Sequence, residues 1–283
     1  MKERAKRMLK RFGLYETAVR VYCRAELLQV KARDGGAYLA SPFVNAPYLL
    51  PGAGDGMPLP PIRLVHLVTN TYSYRWFLES GALGTSCLVG ILAKNGLALE
   101  NFSSILDFGC GCGRMMRHWT HLRGPRLHGT DYQDGLVGWC RLHLPFAQFQ
   151  KNRLTAELPY DDGTFDFIYA ISVFTHLPEE LGSAWVAELR RVLKPGGFLY
   201  ATFMGTTRAP HLRTELRRAW EAGNLMVTGG EMAGENACAA YHPERYVREV
   251  FARGFRVVDF VPGGAKDANQ DVVLMCREDA ERE

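Results

Sequence analysis

Asp107 stands directly ahead of a run in which three glycines, Gly109, Gly111 and Gly113, occupy alternate positions and Arg114 closes the series. The apolar segment Ile105–Phe108 leads into it, so the pattern reads as a strand that enters a glycine-rich turn. Glycine lets a backbone turn tightly and approach a ligand with no Cβ in between. Pyrophosphate binders space their glycines G-x-G-x-x-G. Here the third glycine comes one residue early and position 114 is arginine. A carboxylate at Asp107 would repel a phosphate and attract a cation.

A second acid follows in Leu127-His128-Gly129-Thr130-Asp131, a strand ending in a carboxylate 131 − 109 = 22 residues after the first loop glycine. An acid about 20 residues on is where such folds grip ribose hydroxyls. A cationic nucleoside without phosphates fits both acids, and S-adenosyl-L-methionine has that chemistry. His176 is the titratable group placed to take a hydroxyl proton near neutral pH. The same ring is also suited to fix its loop through backbone hydrogen bonds, the commoner role for a histidine so placed. Tyr72, Tyr74, Arg75 and Trp76, with His66, are expected near the acceptor, as is His211 at the start of a charged stretch. Cys110 and Cys112 have C-x-C spacing with no further ligands nearby, which falls short of a zinc site. No metal is expected.

These residues need a frame. Apolar runs at 105–108, 126–129, 166–171 and 198–203 alternate with helical stretches, the signature of a parallel sheet covered on both faces. Phe255–Val261 and Asp271–Cys276 are β-rich runs joined without a helix, so an antiparallel hairpin is expected at one sheet edge. Residues 62–283 read as one domain with an insertion at 204–240 on the substrate side. Helices are expected over 62–70, 72–78 and 84–95. Residues 34–61 hold six prolines and five glycines and read as an extended connector, joining the insertion as a lid.

The charge of +4 is unevenly placed: residues 1–33 carry ten Lys/Arg against three Glu, 10 − 3 = +7, leaving 24 − 27 = −3 for the remainder. A nucleic-acid groove would spread its cations over the main surface, so nucleic acid is not an expected partner. Residues 1–33 read as a basic amphipathic helix. It either packs on the domain or contacts an anionic membrane surface or lipid-linked material. Seven cysteines, odd in number and scattered, argue for a reducing compartment, with the cytoplasm as default. No stretch approaches about 18 uncharged apolar residues.

Four segments, Leu106–Arg114, Gly129–Tyr132, Leu158–Ala170 and Leu193–Gly197, together resemble the class I S-adenosylmethionine-dependent methyltransferases. Ser172–Leu177 and Asn269–Val273 are similar to one subgroup. The resemblance implies a Rossmann-like, mostly parallel α/β sheet of seven strands with an antiparallel last strand. It also implies that Asp107, Gly109, Cys110, Gly111 and Gly113 hold the methionine part of the cofactor and Asp131 the ribose. Tyr132 would cover the adenine, while Ala170, Ile171 and Ser172 would lie beneath the sulfonium. Where the family often carries Asp or Asn for the adenine amino group this chain has Leu154, so backbone at Leu154 and Thr155 is expected to substitute. Missing are the Asp/Asn-Pro-Pro-aromatic motif of base and amide methyltransferases and a carboxylate for a catechol-type metal. A small-molecule acceptor is implied, with oxygen preferred over nitrogen. The alternatives are a sugar or lipid-linked glycan, or a cofactor-binding partner protein without catalysis.

Overall fold

The computed structural model describes residues 34–49 and 53–278. The chain divides into two compact units, Met1–Pro51 and Gly52–Glu283. The helix expected over 1–33 lies outside the described residues.

In the first unit, residues 34–44 are helical and Ala46–Leu49 form one further turn, which corrects the expectation of an extended connector from residue 34. Pro42 has no N–H to give the Tyr38 carbonyl, and Ser41 Oγ donates to that carbonyl instead at 2.7 Å. Pro47 sits in the first turn of its helix, where a missing N–H costs nothing. Local side-chain chemistry thus rescues helix in a stretch whose Gly and Pro content speaks against it.

In the second unit, α1 (Ile62–Thr69) and α2 (Tyr74–Lys94) precede β1 (Ser104–Phe108). Ser73 caps α2, its Oγ accepting from Trp76 N at 3.2 Å. α2 runs unbroken where two helices were expected. Its interior glycines are packing positions: a Cβ at Gly81 would lie 2.6 Å from Arg114 O, and one at Gly84 2.8 Å from Asp267 Oδ2. By length and composition α2 could cross a membrane, although its uncharged run, Ser80 to Ala93, stays short of about 18 residues. Phe77, Leu88 and Leu92 on it are nonetheless buried in the core.

The sheet continues with β2 (Arg126–Asp131), β3 (Gln148–Lys151), β4 (Phe165–Ala170), β5 (Leu193–Phe203), β8 (Phe255–Ala265) and β9 (Gln270–Arg277). A separate two-stranded ribbon, β6 (Met226–Thr228) and β7 (Ala239–Tyr241), lies in the insertion. Strand order is β3-β2-β1-β4-β5-β9-β8, with β1 to β5 parallel and β9 antiparallel to both neighbours. The Rossmann-like seven-stranded fold and its C-terminal hairpin are as expected. β3 was not anticipated, because in Gln-Phe-Gln-Lys only Phe149 is buried and no apolar run exists to see.

Between the strands lie α3 (Asp134–His143) and α4 (Glu179–Val192). Glu179 and Glu180 begin α4 and Arg190 and Arg191 end it, matching its dipole at both ends. Trp185, Leu189 and Val192 from α4 join Leu106, Ile168, Leu199, Phe203, Val273 and Met275 in one continuous core. Full burial of each such side chain contributes about 1.5–3 kcal/mol. That core fixes the strand ends, and every wall of the site hangs from them.

Candidate functional site

The carboxyl ends of β1, β2, β4 and β5 open into a cavity of about 690 Å³. This is within the ~300–1,000 Å³ usual for small-molecule sites. The strand-order reversal between β1 and β4 places it at the topological switch point.

The glycine turn forms one wall. Gly109 N and Cys110 N both donate to Thr130 O, at 2.8 and 2.9 Å, so the turn folds back onto the end of β2. Gly109 and Gly111 adopt φ of 77° and 55°, conformations that disfavour any side chain. Gly113 lies off the cavity: its Cβ would meet Leu144 Cδ1 at 2.4 Å, so its role is packing beneath the turn. The helix expected after the turn is reduced to a single 3-10 turn, Met116–Trp119. Its Arg117 is buried, forked onto Asp55 at 2.8 and 3.0 Å. A four-residue turn has little of the dipole that phosphate binders use.

Asp107 lies at the centre of this wall, 2% exposed, and its Oδ2 has no hydrogen-bond partner. Burial raises its carboxyl to about 7; Tyr169 and Arg114 pull it down, and nearby Asp131 adds a small upward push. Asp131 accepts from Gly111 N at 3.0 Å and Gln133 N at 2.9 Å. Burial lifts its carboxyl too, against those backbone donors. Cys110 and Cys112 are buried thiols, and all six described cysteines are free. The thiol of Cys110 is raised by its hydrogen bond with Cys140 and by burial, and that of Cys112 by burial. Both are poor nucleophiles, and they fill space. Among the described residues, no three His, Cys, Asp or Glu group to hold a metal.

The insertion supplies the cover. Tyr132 donates its hydroxyl to Gly234 O at 2.9 Å, and Gly234 N donates to His176 O at 2.8 Å. His176 Nδ1 faces Cys238 O at 2.8 Å, and Asn236 Nδ2 reaches Leu67 O at 3.4 Å. The segment around Gly234–Cys238 is thereby tied to β2, to the loop after β4 and to α1. Burial lowers the His176 pKa more than its backbone partners Cys238 and Glu235 raise it. A carbonyl only accepts, so Nδ1 carries the proton of a neutral ring. These are the loop-fixing contacts of the two roles expected for this histidine.

Other expected residues divide. Asp107, Gly109, Cys110, Gly111, Asp131, Tyr132, Leu154, Ile171, Ser172, His176 and Trp76 line the cavity. Thr155 and Ala170 do not, and Ala170 is fully buried in the sheet. Tyr74 is also off the wall, its hydroxyl spent on Pro60 O at 3.0 Å. Arg75 pairs with Glu79 in solvent, and Tyr72 stacks on His66 with centroids 4.1 Å apart. His211 is exposed in the 3-10 turn Ala209–His211, outside the cavity. Connector residues 53–61 supply none of the lining, so that stretch is not part of the cover.

Sequence reasoning missed Asn152. It follows β3, lines the cavity and is 7% exposed, with Oδ1 unpartnered while Nδ2 donates to Arg153 O at 2.7 Å. It stands two residues before Leu154, the position where backbone alone was expected to meet the adenine amino group. The Leu154 carbonyl is taken by Trp185 Nε1 at 3.0 Å. The hairpin turn from Lys266 to Gln270 was missed as a wall as well; the spelling Asn-Gln-Asp was visible but its place was not.

A reversed-order parallel sheet, a glycine turn without a phosphate-binding helix, and two buried acids at adjacent strand ends define the Rossmann-like methyltransferase architecture. The chain carries a class I S-adenosylmethionine-dependent methyltransferase domain. Residues 106–201 match the family model described as a methyltransferase domain. A sterol 24-C-methyltransferase of Schizosaccharomyces pombe is 34% identical over 106 residues, 36% of this chain and 28% of the relative. A malonyl-[acyl-carrier protein] O-methyltransferase of Salmonella typhimurium is 32% identical over 132 residues, 44% and 46% of the two chains. The chain thus spans less than half the length of either relative. In structure, a Burkholderia thailandensis 1,6-didemethyltoxoflavin-N1-methyltransferase with its substrate and S-adenosylhomocysteine bound superimposes with a TM-score of 0.54. It is 16% identical and covers 78% of this chain and 92% of its own. Magnesium protoporphyrin IX methyltransferase of Synechocystis PCC 6803 gives a TM-score of 0.51 at 18% identity, covering 71% and 86%. At those identities the likeness carries the fold.

S-adenosylmethionine is the cofactor such a domain implies, and this cavity fits it. The unpartnered Asp107 Oδ2 suits a cationic amino group, Asp131 has spare lone pairs for ribose hydroxyls, and Asn152 Oδ1 lacks a donor of the kind an adenine amino group supplies.

Proposed function

We propose that this chain transfers the methyl group of S-adenosyl-L-methionine to a small-molecule acceptor, with oxygen as the preferred nucleophile over nitrogen. The observation that carries the reading is the buried Asp107 carboxyl at the mouth of the glycine turn, whose Oδ2 has no hydrogen-bond partner. A carboxyl held there at a cost in desolvation asks for a cation. Bound, the cofactor supplies an electrophilic methyl group on a sulfonium. The chain's own part is to anchor the amino group at Asp107, the ribose at Asp131 and the adenine edge at Asn152. Tyr132 and His176 hold the Gly234–Cys238 segment as a cover that keeps water out. Displacement at a sulfonium depends chiefly on alignment in a dry site, and those contacts serve alignment.

Methyl-labelled cofactor offered with a panel of small carboxylates, alcohols and amines tests the reading. Label in an organic product supports it. Tight S-adenosylhomocysteine binding without transfer to any panel member favours a cofactor-binding partner protein, and absence of that binding overturns the reading. The +7 charge of residues 1–33 favours one second reading, a sugar or lipid-linked acceptor met at an anionic membrane surface.

A further inference from the structure

The cavity has a second end, away from Asp131, over the carboxyl ends of β4, β5 and the β8–β9 hairpin. A closed hydrogen-bond relay lies in its floor. Ser172 N donates to Thr202 Oγ1 at 2.8 Å, and Thr202 Oγ1 donates to Gln270 Oε1 at 2.6 Å. That fixes the Gln270 amide so that Nε2 donates to Ser172 Oγ at 2.6 Å. Thr202 and Gln270 are buried, at 0% and 5% exposure, and neither can turn away. With its oxygen already accepting from Gln270, Ser172 has its own hydroxyl proton left to give, and Ser172 lines the cavity. The residue is held at φ 58°, one of three described non-glycine residues with positive φ; Asn269, beside Gln270, is another. Strain of this kind collects where a side chain must be aimed.

The charges at this end point the same way. Asp267 is consumed by Arg114 at 2.9 Å, and Asp271 by Thr206 and Gly263. Lys266 and Arg208 line the same end, and among the described residues neither has a carboxylate within 4.0 Å. Arg208 is steadied by donating to Ala268 O at 3.2 Å. The result is a donor in the floor and two uncompensated cations at the rim.

We propose that the acceptor is a carboxylate. Its oxygens would be received by the Ser172 hydroxyl and by Lys266 and Arg208, with Gln270 as the positioning residue behind Ser172. This deepens the methyl-transfer reading and rests on it. The chemistry balances without a base: a carboxylate oxygen bonds to the methyl carbon as the carbon–sulfur bond breaks. The electron pair stays on sulfur, the product is a neutral ester, and no proton moves. The step therefore makes no call on His176, whose Nδ1 holds the Cys238 carbonyl.

The test is calorimetric titration of benzoate, and of benzylamine as a cation of similar shape, into the full chain loaded with S-adenosylhomocysteine. Benzoate is expected to bind and benzylamine is not. Lys266→Gln should weaken benzoate about tenfold, as loss of a charge-assisted contact does. Ser172→Gly, which tolerates the backbone conformation while removing the hydroxyl, should do the same, and Gln270→Met should follow Ser172→Gly. Benzylamine binding as tightly as benzoate, no benzoate binding, or indifference to Lys266→Gln and Ser172→Gly overturns the proposal. Failure to bind S-adenosylhomocysteine at all would instead remove the methyl-transfer reading beneath it.

Discussion

Burial raises the Asp107 carboxyl to about 7 from the usual 3.8, so the folded, empty protein favours the protonated acid. A folded-state pKa above the unfolded one contributes stability that is complete below the unfolded value and is lost as pH rises through the folded one. Ligand-free protein should therefore lose melting temperature between about pH 4 and 7 relative to Asp107→Asn, which cannot ionise. A bound ammonium reverses the balance by favouring the carboxylate. S-adenosylhomocysteine uptake near pH 6 should then release protons, read as a dependence of binding enthalpy on buffer ionisation heat. Equal release by Asp107→Asn would remove this residue from the cation site. Asn152 makes a separate prediction. If its Oδ1 receives the adenine amino group, S-adenosylhomocysteine should bind better than its inosine analogue, and Asn152→Ala should erase most of that preference. The gap is expected near fivefold, the scale of one hydrogen bond of about 1 kcal/mol.

Elements show where the sequence could be read and where it could not. The glycine turn, both acids and the hairpin announce themselves because each needs a residue type that little else supplies. Gly81 and Gly84 were opaque. Within a helix a glycine reads as a break, whereas here a Cβ at Gly84 would press on Asp267 Oδ2 at 2.8 Å and Met115 Sδ at 2.9 Å. Gly90, on the same helix, faces open space. Gly90→Ala should therefore stabilise by up to about 1 kcal/mol through helix propensity. Gly84→Ala should destabilise by about 1–3 kcal/mol through overpacking, and the two are compared in denaturant midpoints. The cover was only half legible: Met204 to Ala240 reads as an insertion, but His176 holding Cys238 joins residues 62 apart, which no local pattern encodes. His176→Asn can keep a donor toward that carbonyl without a titrating ring. If the histidine positions the cover, Asn should restore most of the kcat/KM that His176→Ala loses, with an unchanged pH profile. If Asn and Ala are equally inactive, the base role returns.

At the scale of the molecule, the parallel core was legible because buried central strands read as apolar runs, while edge strand β3 and the helix over 34–44 were not. One is too short to show a period, and the other depends on Ser41 completing what Pro42 cannot. The asymmetry of charge was plain from the start. Residues 1–33 carry +7 against −3 elsewhere, so any attraction to an anionic surface belongs to that segment. Each Lys or Arg near such a surface contributes about 1 kcal/mol, and the attraction decays within a Debye length of about 10 Å at 0.1 M salt. The full chain should therefore float with phosphatidylserine vesicles at low salt, be released at high salt, and ignore neutral vesicles. Replacing Lys6, Lys10, Arg20, Arg24 and Lys31 by glutamine leaves the apolar residues of the segment unchanged and lowers its net charge to +2. Flotation should then be lost while S-adenosylhomocysteine binding stays. Flotation that survives both the substitutions and high salt would assign membrane contact to apolar surface, and the charge would have no part in it.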